Sequence, residues 1–123
     1  MLIVAEEGTA LDSIDVSAPL RAMVRYGEMA LEITPADRAD LDSEIDEAAL
    51  AQCLIIMGDA GKALPASFRE ENEHIPWTDM IELRDRLRHR YWETTAGLLW
   101  REAQAIPRLL PQIRAILGSV ESR

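Results

Sequence analysis

An all-α domain, an antiparallel helical bundle of about four to five helices, is predicted by three observations. Apolar residues recur at helical spacing through most of the chain, cap and proline signals punctuate it at helix length, and no segment alternates apolar and polar residues as a strand would. The length of 123 residues suits one domain, 1–123, around one core, and 48% hydrophobic content is ordinary for a globular protein.

The elements follow in order. No element is assigned to residues 1–16, a candidate flexible lead-in. Ser17 is positioned to cap a helix whose Leu20, Met23, Val24, Ala30 and Leu31 fit helical spacing and which ends near Ile33. Thr34-Pro35 has the order of cap followed by first-turn proline and predicts a short acidic helix. Ser43 with Asp46 resembles a capping box opening the central helix, with Ile45, Ala49, Cys53, Ile56, Ala60 and Leu64 along one face. Gly58 and Gly61 lie inside that pattern without the Gly-Lys-Ser/Thr ending of a phosphate loop, so close helix packing is their expected role.

Pro65 ends the central helix, and Ser67 with Glu70 predicts another capped turn. Ile75-Pro76-Trp77 leads into a helix with Met80, Leu83, Leu87 and Tyr91 as its apolar stripe. The last segment carries Leu98, Leu99, Ala103, Ile106, Leu110, Ile113 and Leu117. Pro107 and Pro111 should break or kink it, and Gly118 should terminate it. Trp77, Trp92 and Trp100 read as core or interface anchors, with stacking on bases as the alternative.

Charge divides the chain. The net charge is -9, yet residues 1–83 hold 5 Lys or Arg against 18 Asp or Glu, and residues 84–123 hold 8 against 4. Such a balance excludes a protein that coats itself in nucleic acid, while leaving room for a local basic site on an acidic body. The single cysteine, Cys53, has no internal disulfide partner, and the start Met1-Leu2-Ile3-Val4-Ala5-Glu6-Glu7 turns acidic before a signal region forms. A cytoplasmic protein with no membrane contact is expected. His74 and His89 lack the spacing of a metal site, so neither a metal nor another cofactor is expected.

The densest chemistry lies in Arg84-Asp85-Arg86-Leu87-Arg88-His89-Arg90-Tyr91. Imidazole exchanges protons near neutrality, and guanidinium groups hold a phosphate and stabilise its added transition-state charge. Together these suit cleavage of RNA by its own 2'-hydroxyl, a reaction that needs no metal. Arg84 and His89 are five residues apart, about 140° around a helix, so they do not project side by side. Two copies packed antiparallel would bring the Arg84 of each to the His89 of the other in a composite groove. Asp85 and His89 are four apart and share a face, where a carboxylate would favour the charged ring while Arg88 and Arg90 oppose it. The same run also reads as a solvated arginine face with a structural histidine.

From Ile45 to Leu117 the chain resembles the HepT-like toxins of the HEPN superfamily. The resemblance runs through Ile56-Met57-Gly58-Asp59-Ala60-Gly61-Lys62-Ala63-Leu64-Pro65, Phe68-Arg69-Glu70-Glu71, Ile75-Pro76-Trp77, the Arg84–Tyr91 run, Trp100 and Pro107. It implies a dimerising helical bundle with a metal-independent ribonuclease site between subunits. Arg84 would bind phosphate, His89 would be the general acid/base and Asp85 would support them; Arg88 is a further supporting candidate from its place in the arginine run, outside the resemblance. Tyr91 would be the residue that an MntA-like nucleotidyltransferase antitoxin modifies with AMP, in a type VII-like toxin-antitoxin pair. Three residues depart from the family pattern: Arg88 replaces an aliphatic residue, Asp59 a glutamate, and Thr95 an aspartate helix cap. The alternative is a non-catalytic helical module that binds a nucleotidyltransferase or a nucleotide, for which the acidic surface speaks.

Overall fold

The computed structural model describes residues 15–37 and 41–123, and every regular element among them is helical. Among the described residues there are six α-helices: α1 Ser17–Ile33, α2 Glu44–Ala63, α3 Ala66–Glu71, α4 Trp77–His89, α5 Ala96–Ala103 and α6 Ile106–Glu121, with a 3₁₀ turn at Tyr91–Glu93. The architecture is the expected all-α bundle of about four to five helices, four long helices with α3 and α5 as short additional ones. The lead-in assigned to residues 1–16 lies, up to residue 14, outside the described residues.

α2 is the central helix. α1 packs against it, as do α4 and, more lightly, α5, and α6 packs on α1. Burial starts at Leu50 and then takes Ala51, Cys53, Leu54, Met57, Gly58, Ala60 and Gly61, so α2 is covered on more than one side. The single stripe predicted from Ile45 to Leu64 is therefore too narrow, and Ile45, in the first turn, is 79% exposed. α1 and α6 run antiparallel, since Glu28 pairs with Arg114 at 2.6 Å and Arg21 with Glu121 at 3.4 Å. Leu110 and Met57 meet over Gly27, where an added Cβ would lie 2.6 Å from Leu110 Cδ2.

Several end signals act differently from their expected roles. Ser17 is the first helical residue rather than the cap: its N–H and hydroxyl donate to the Asp15 carboxylate. Thr34 closes α1 instead of opening another helix, because its hydroxyl donates back to the Ala30 carbonyl at 2.7 Å. Residues 34–37 are not helical, and 38–40 lie outside the described residues. Ser43 does cap α2, accepting from the Asp46 N–H at 3.1 Å, and Thr95 caps α5 through the Leu98 N–H at 3.1 Å. Ser67 caps nothing, since α3 already begins at Ala66 after Pro65.

The C-terminal break falls at Gln104–Ala105, two residues before Pro107. Pro107 sits in the first turn of α6, where its missing N–H has no partner to lose. Pro111 is tolerated inside α6 because it and Pro107 are exposed, so the Pro107 carbonyl that loses its helical donor stays open to water. Gly118 does not stop α6, which runs on to Glu121 with no glycine at positive φ among the described residues. No helix among them is long and apolar enough to cross a membrane.

Candidate active site on the arginine-histidine helix

α4 is held at its start by two buried side chains, Ile75 and Trp77, and the Trp77 indole donates to the Asn72 carbonyl at 3.0 Å. Gly61 of α2 lies beside the Trp77 ring, and Gly58, one turn earlier on α2, lets the α4 backbone come close. A Cβ on Gly58 would fall 2.7 Å from the Met80 carbonyl oxygen and 2.3 Å from Arg84 Cβ. Two rising positions on α4 thus meet two falling positions on α2, which makes the pair antiparallel and roots Arg84 against the core. Close packing is the role of Gly58, as expected, whereas Gly61 has room for a methyl group.

Asp59, beside Gly58, is the residue whose part was not legible in sequence. Its Oδ1 accepts from Arg84 Nε, and its Oδ2 accepts from Arg88 Nη2 at 3.0 Å. Arg84 Nη1 donates to Asp85, leaving the Arg84 side chain 17% exposed. Asp59 and Arg88, noted separately as departures from the family pattern, are therefore partners. The signal available was that Asp59 is the charged residue among apolar and small neighbours from Ile56 to Gly61, opposite a helix carrying arginines four apart.

Partial burial acts to raise the Asp59 pKa, but hydrogen bonds from Arg84 and Arg88, with their charges, outweigh it and hold the carboxyl below its ordinary value. The hydrogen bond from Arg84 likewise lowers Asp85, and those from Asp59 and Asp85 raise Arg84. Because Asp59 is depressed relative to the unfolded chain, its contact stabilises above the ordinary carboxylate range and is lost as pH falls through the lower folded value. Between about pH 5 and pH 3 the thermal midpoint of the wild type should fall more steeply than that of Asp59→Asn. Parallel curves in a pH series of melts would refute this.

His89 is the last residue of α4 and is exposed. Among the described residues no hydrogen bond joins it to Arg84, and Asp85 accepts from Arg84 Nη1 instead of from the ring. One chain links Arg84, Arg88, Asp59 and Asp85 by hydrogen bonds, and His89 is not part of that network. Arg90 then leaves helical geometry at φ -139°, ψ 42°, so Tyr91 falls in the 3₁₀ turn, 42% exposed, and not in the predicted apolar stripe. Leu87 is buried as expected, with Met80 and Leu83 half-buried.

The run is less cationic than its composition suggests. Arg86 faces Glu102 at 3.8 Å and Arg90 faces Glu93 at 4.0 Å, pairs on exposed side chains that hold weakly. Of the tryptophans, Trp77 is core and Trp100 is half-buried with its indole donating to the Pro35 carbonyl at 2.7 Å. Trp92, three residues beyond His89, is 80% exposed. A cavity of about 890 Å³ opens between α4 and the start of α6, over Leu54 and Met57, with His74 at its edge and neither Arg84 nor His89 in its wall. Among the described residues no group of three His, Cys, Asp or Glu could hold a metal ion.

A Methanocaldococcus jannaschii protein named as a gamma-glutamylcyclotransferase and candidate RNase is 32% identical over 87% of this chain and 50% of its own length. A candidate RNase from Caldanaerobacter subterraneus is 36% identical over 56% of this chain and 62% of its own. The chain thus spans about half to three fifths of these two relatives. A third, another Methanocaldococcus jannaschii candidate RNase, is 25% identical over 89% of this chain and 93% of its own. No solved structure matches the chain. The profile of the ribonuclease HepT-like family matches residues 6–116, nearly the whole chain, and the protein belongs to that family.

Proposed function

We propose that the protein is a metal-independent endoribonuclease in which Arg84 and His89 act on one phosphodiester. The observation that carries this reading is that a family-matched helix holds Arg84 rigidly against α2 and ends on an exposed His89. His89 takes the proton of the 2'-hydroxyl, the 2'-oxygen attacks the adjacent phosphorus, and the bond to the 5'-oxygen breaks as that oxygen takes a proton from the protonated imidazole or from water. Arg84 stabilises the charge gathered on the phosphoryl oxygens. The ends are a 2',3'-cyclic phosphate and a 5'-hydroxyl. The nucleophile is the substrate's own hydroxyl, so no metal is needed to generate one.

Arg84 and His89 lie about 140° apart on α4, and a homodimer through the α4 helices supplies the Arg84 of one copy to the His89 of the other. Tyr91, exposed two residues beyond His89, is where an MntA-like nucleotidyltransferase antitoxin transfers AMP and closes the groove. Incubating the protein with RNA and excess EDTA tests the chemistry, with cyclic phosphate ends as the expected product. The carboxylates on Arg84 favour a second reading, a non-catalytic module that binds a nucleotidyltransferase or nucleotide. That reading prevails if turnover is absent while a stable complex with the nucleotidyltransferase forms.

A further inference from the structure

Asp59 touches two arginines of one helix. Arg84 and Arg88 are four residues apart, so they share a face of α4, and the same carboxylate accepts from Arg84 Nε with one oxygen and from Arg88 Nη2 with the other. Gly58 sets the base of this arrangement by bringing Arg84 Cβ within contact of α2. Asp85 reaches Arg84 without reaching Arg88. Among the described residues, Arg84 Nη2 and the Nε and Nη1 of Arg88 make no hydrogen bond. Arg84 is mostly covered, whereas the Arg88 side chain is 47% exposed.

We propose that Asp59 is a positioning residue that yokes Arg84 and Arg88 into a two-arginine clamp, so that Arg88 binds the substrate phosphodiester together with Arg84. A carboxylate with one oxygen on each guanidinium fixes their spacing and leaves planar N–H edges free, the geometry that phosphate oxygens accept. An aliphatic side chain at position 88 would leave Arg84 alone with Asp59 and remove one cation from the groove. The clamp rests on the ribonuclease reading above for its substrate, and extends it to a residue that reading leaves in a supporting place.

The test uses the full chain with a single-stranded oligonucleotide of 2'-deoxy sugars, which binds without being cut, and in parallel with the matching RNA. Arg88→Met should weaken binding about tenfold and reduce the slope of log affinity against log salt by about 0.7, the loss of one phosphate contact on a single strand. Asp59→Asn should weaken binding similarly, and Arg88→Met should then add little in the Asp59→Asn background. Asp59→Glu should recover part of the loss. With RNA, Arg88→Met should act mainly on KM, while Asp59→Asn should also lower kcat about tenfold by loosening Arg84.

An unchanged salt slope in Arg88→Met overturns the clamp. Full additivity of the two substitutions, or failure of the wild type to bind the oligonucleotide, does the same. Should Asp59→Asn fail to fold, the exposed Arg88→Met still decides through its salt slope. Coupled binding without any RNA cleavage keeps the clamp and rejects the ribonuclease reading. Cleavage without coupling does the reverse.

Discussion

His89→Ala is expected to lower the rate of RNA cleavage by about a thousandfold, within the range that a positioned proton-transfer group contributes. The thermal midpoint should meanwhile move by no more than about 2 °C, because an exposed side chain at a helix end carries little packing. Single-turnover rates on a defined RNA, with melts of the same samples, check both halves. Added imidazole should restore part of the lost rate, since the missing group is a proton carrier and not a structural contact. Arg84→Ala should lose comparable activity for another reason, and imidazole should not restore it. Full cleavage by His89→Ala, or a large drop in its melting temperature, would show that His89 is not the proton-transfer group.

The fold was legible wherever one residue decides an outcome locally. Ser43 and Thr95 cap as read because each places an oxygen three residues before a free N–H, a contact that depends on no other part of the chain. Legibility failed where tertiary packing chose between local options. Ser17 could have capped α1, but Asp15, two residues earlier, takes the N–H instead. Ile45 fits the apolar spacing of α2 and is exposed, since helical period says which face a residue occupies and not how far along the helix its neighbours reach. Tyr91 fits the stripe of α4 and lies outside it because Arg90 leaves helical geometry.

In the candidate site, residue types were legible and their pairings were not. Arg84 and His89 stood out by charge and proton chemistry, and their angular offset followed from helix geometry alone. The Asp59 contact spans 25 residues to Arg84, and separation in sequence hides it. What could have exposed it was a coincidence of two oddities, an acid set among small residues of the central helix and an extra arginine one turn beyond Arg84. An acid facing two arginines answers both. The pairing of Asp85 with Arg84 in place of His89 was equally hidden, because both partners lie within reach of one carboxylate and the approach of Arg84 to α2 decides between them.

Gly58→Ala is expected to destabilise the protein by about 2 kcal/mol, lowering the melting temperature by roughly 10 °C, and to impair the site as well. Alanine is the better helix former by about 1 kcal/mol, so the sign depends on the contact the new methyl makes. At 2.7 Å from the Met80 carbonyl and 2.3 Å from Arg84 Cβ, the methyl meets backbone and a side-chain root, neither of which can swing aside. α4 must then move away from α2, and Arg84 moves with it away from Asp59. Gly61→Ala is the control on the same helix: its methyl would lie 3.6 Å from Trp77 Cε3, an ordinary contact, so the propensity gain should leave stability unchanged or slightly higher. Thermal melts of the two variants, with oligonucleotide binding on the folded fraction, separate a specific close approach from a general intolerance of α2 to larger residues. Equal melting of wild type and Gly58→Ala would mean that α4 does not need that approach to hold Arg84. Loss in Gly58→Ala alone would tie the placement of the arginine to the absence of a single methyl group on the central helix.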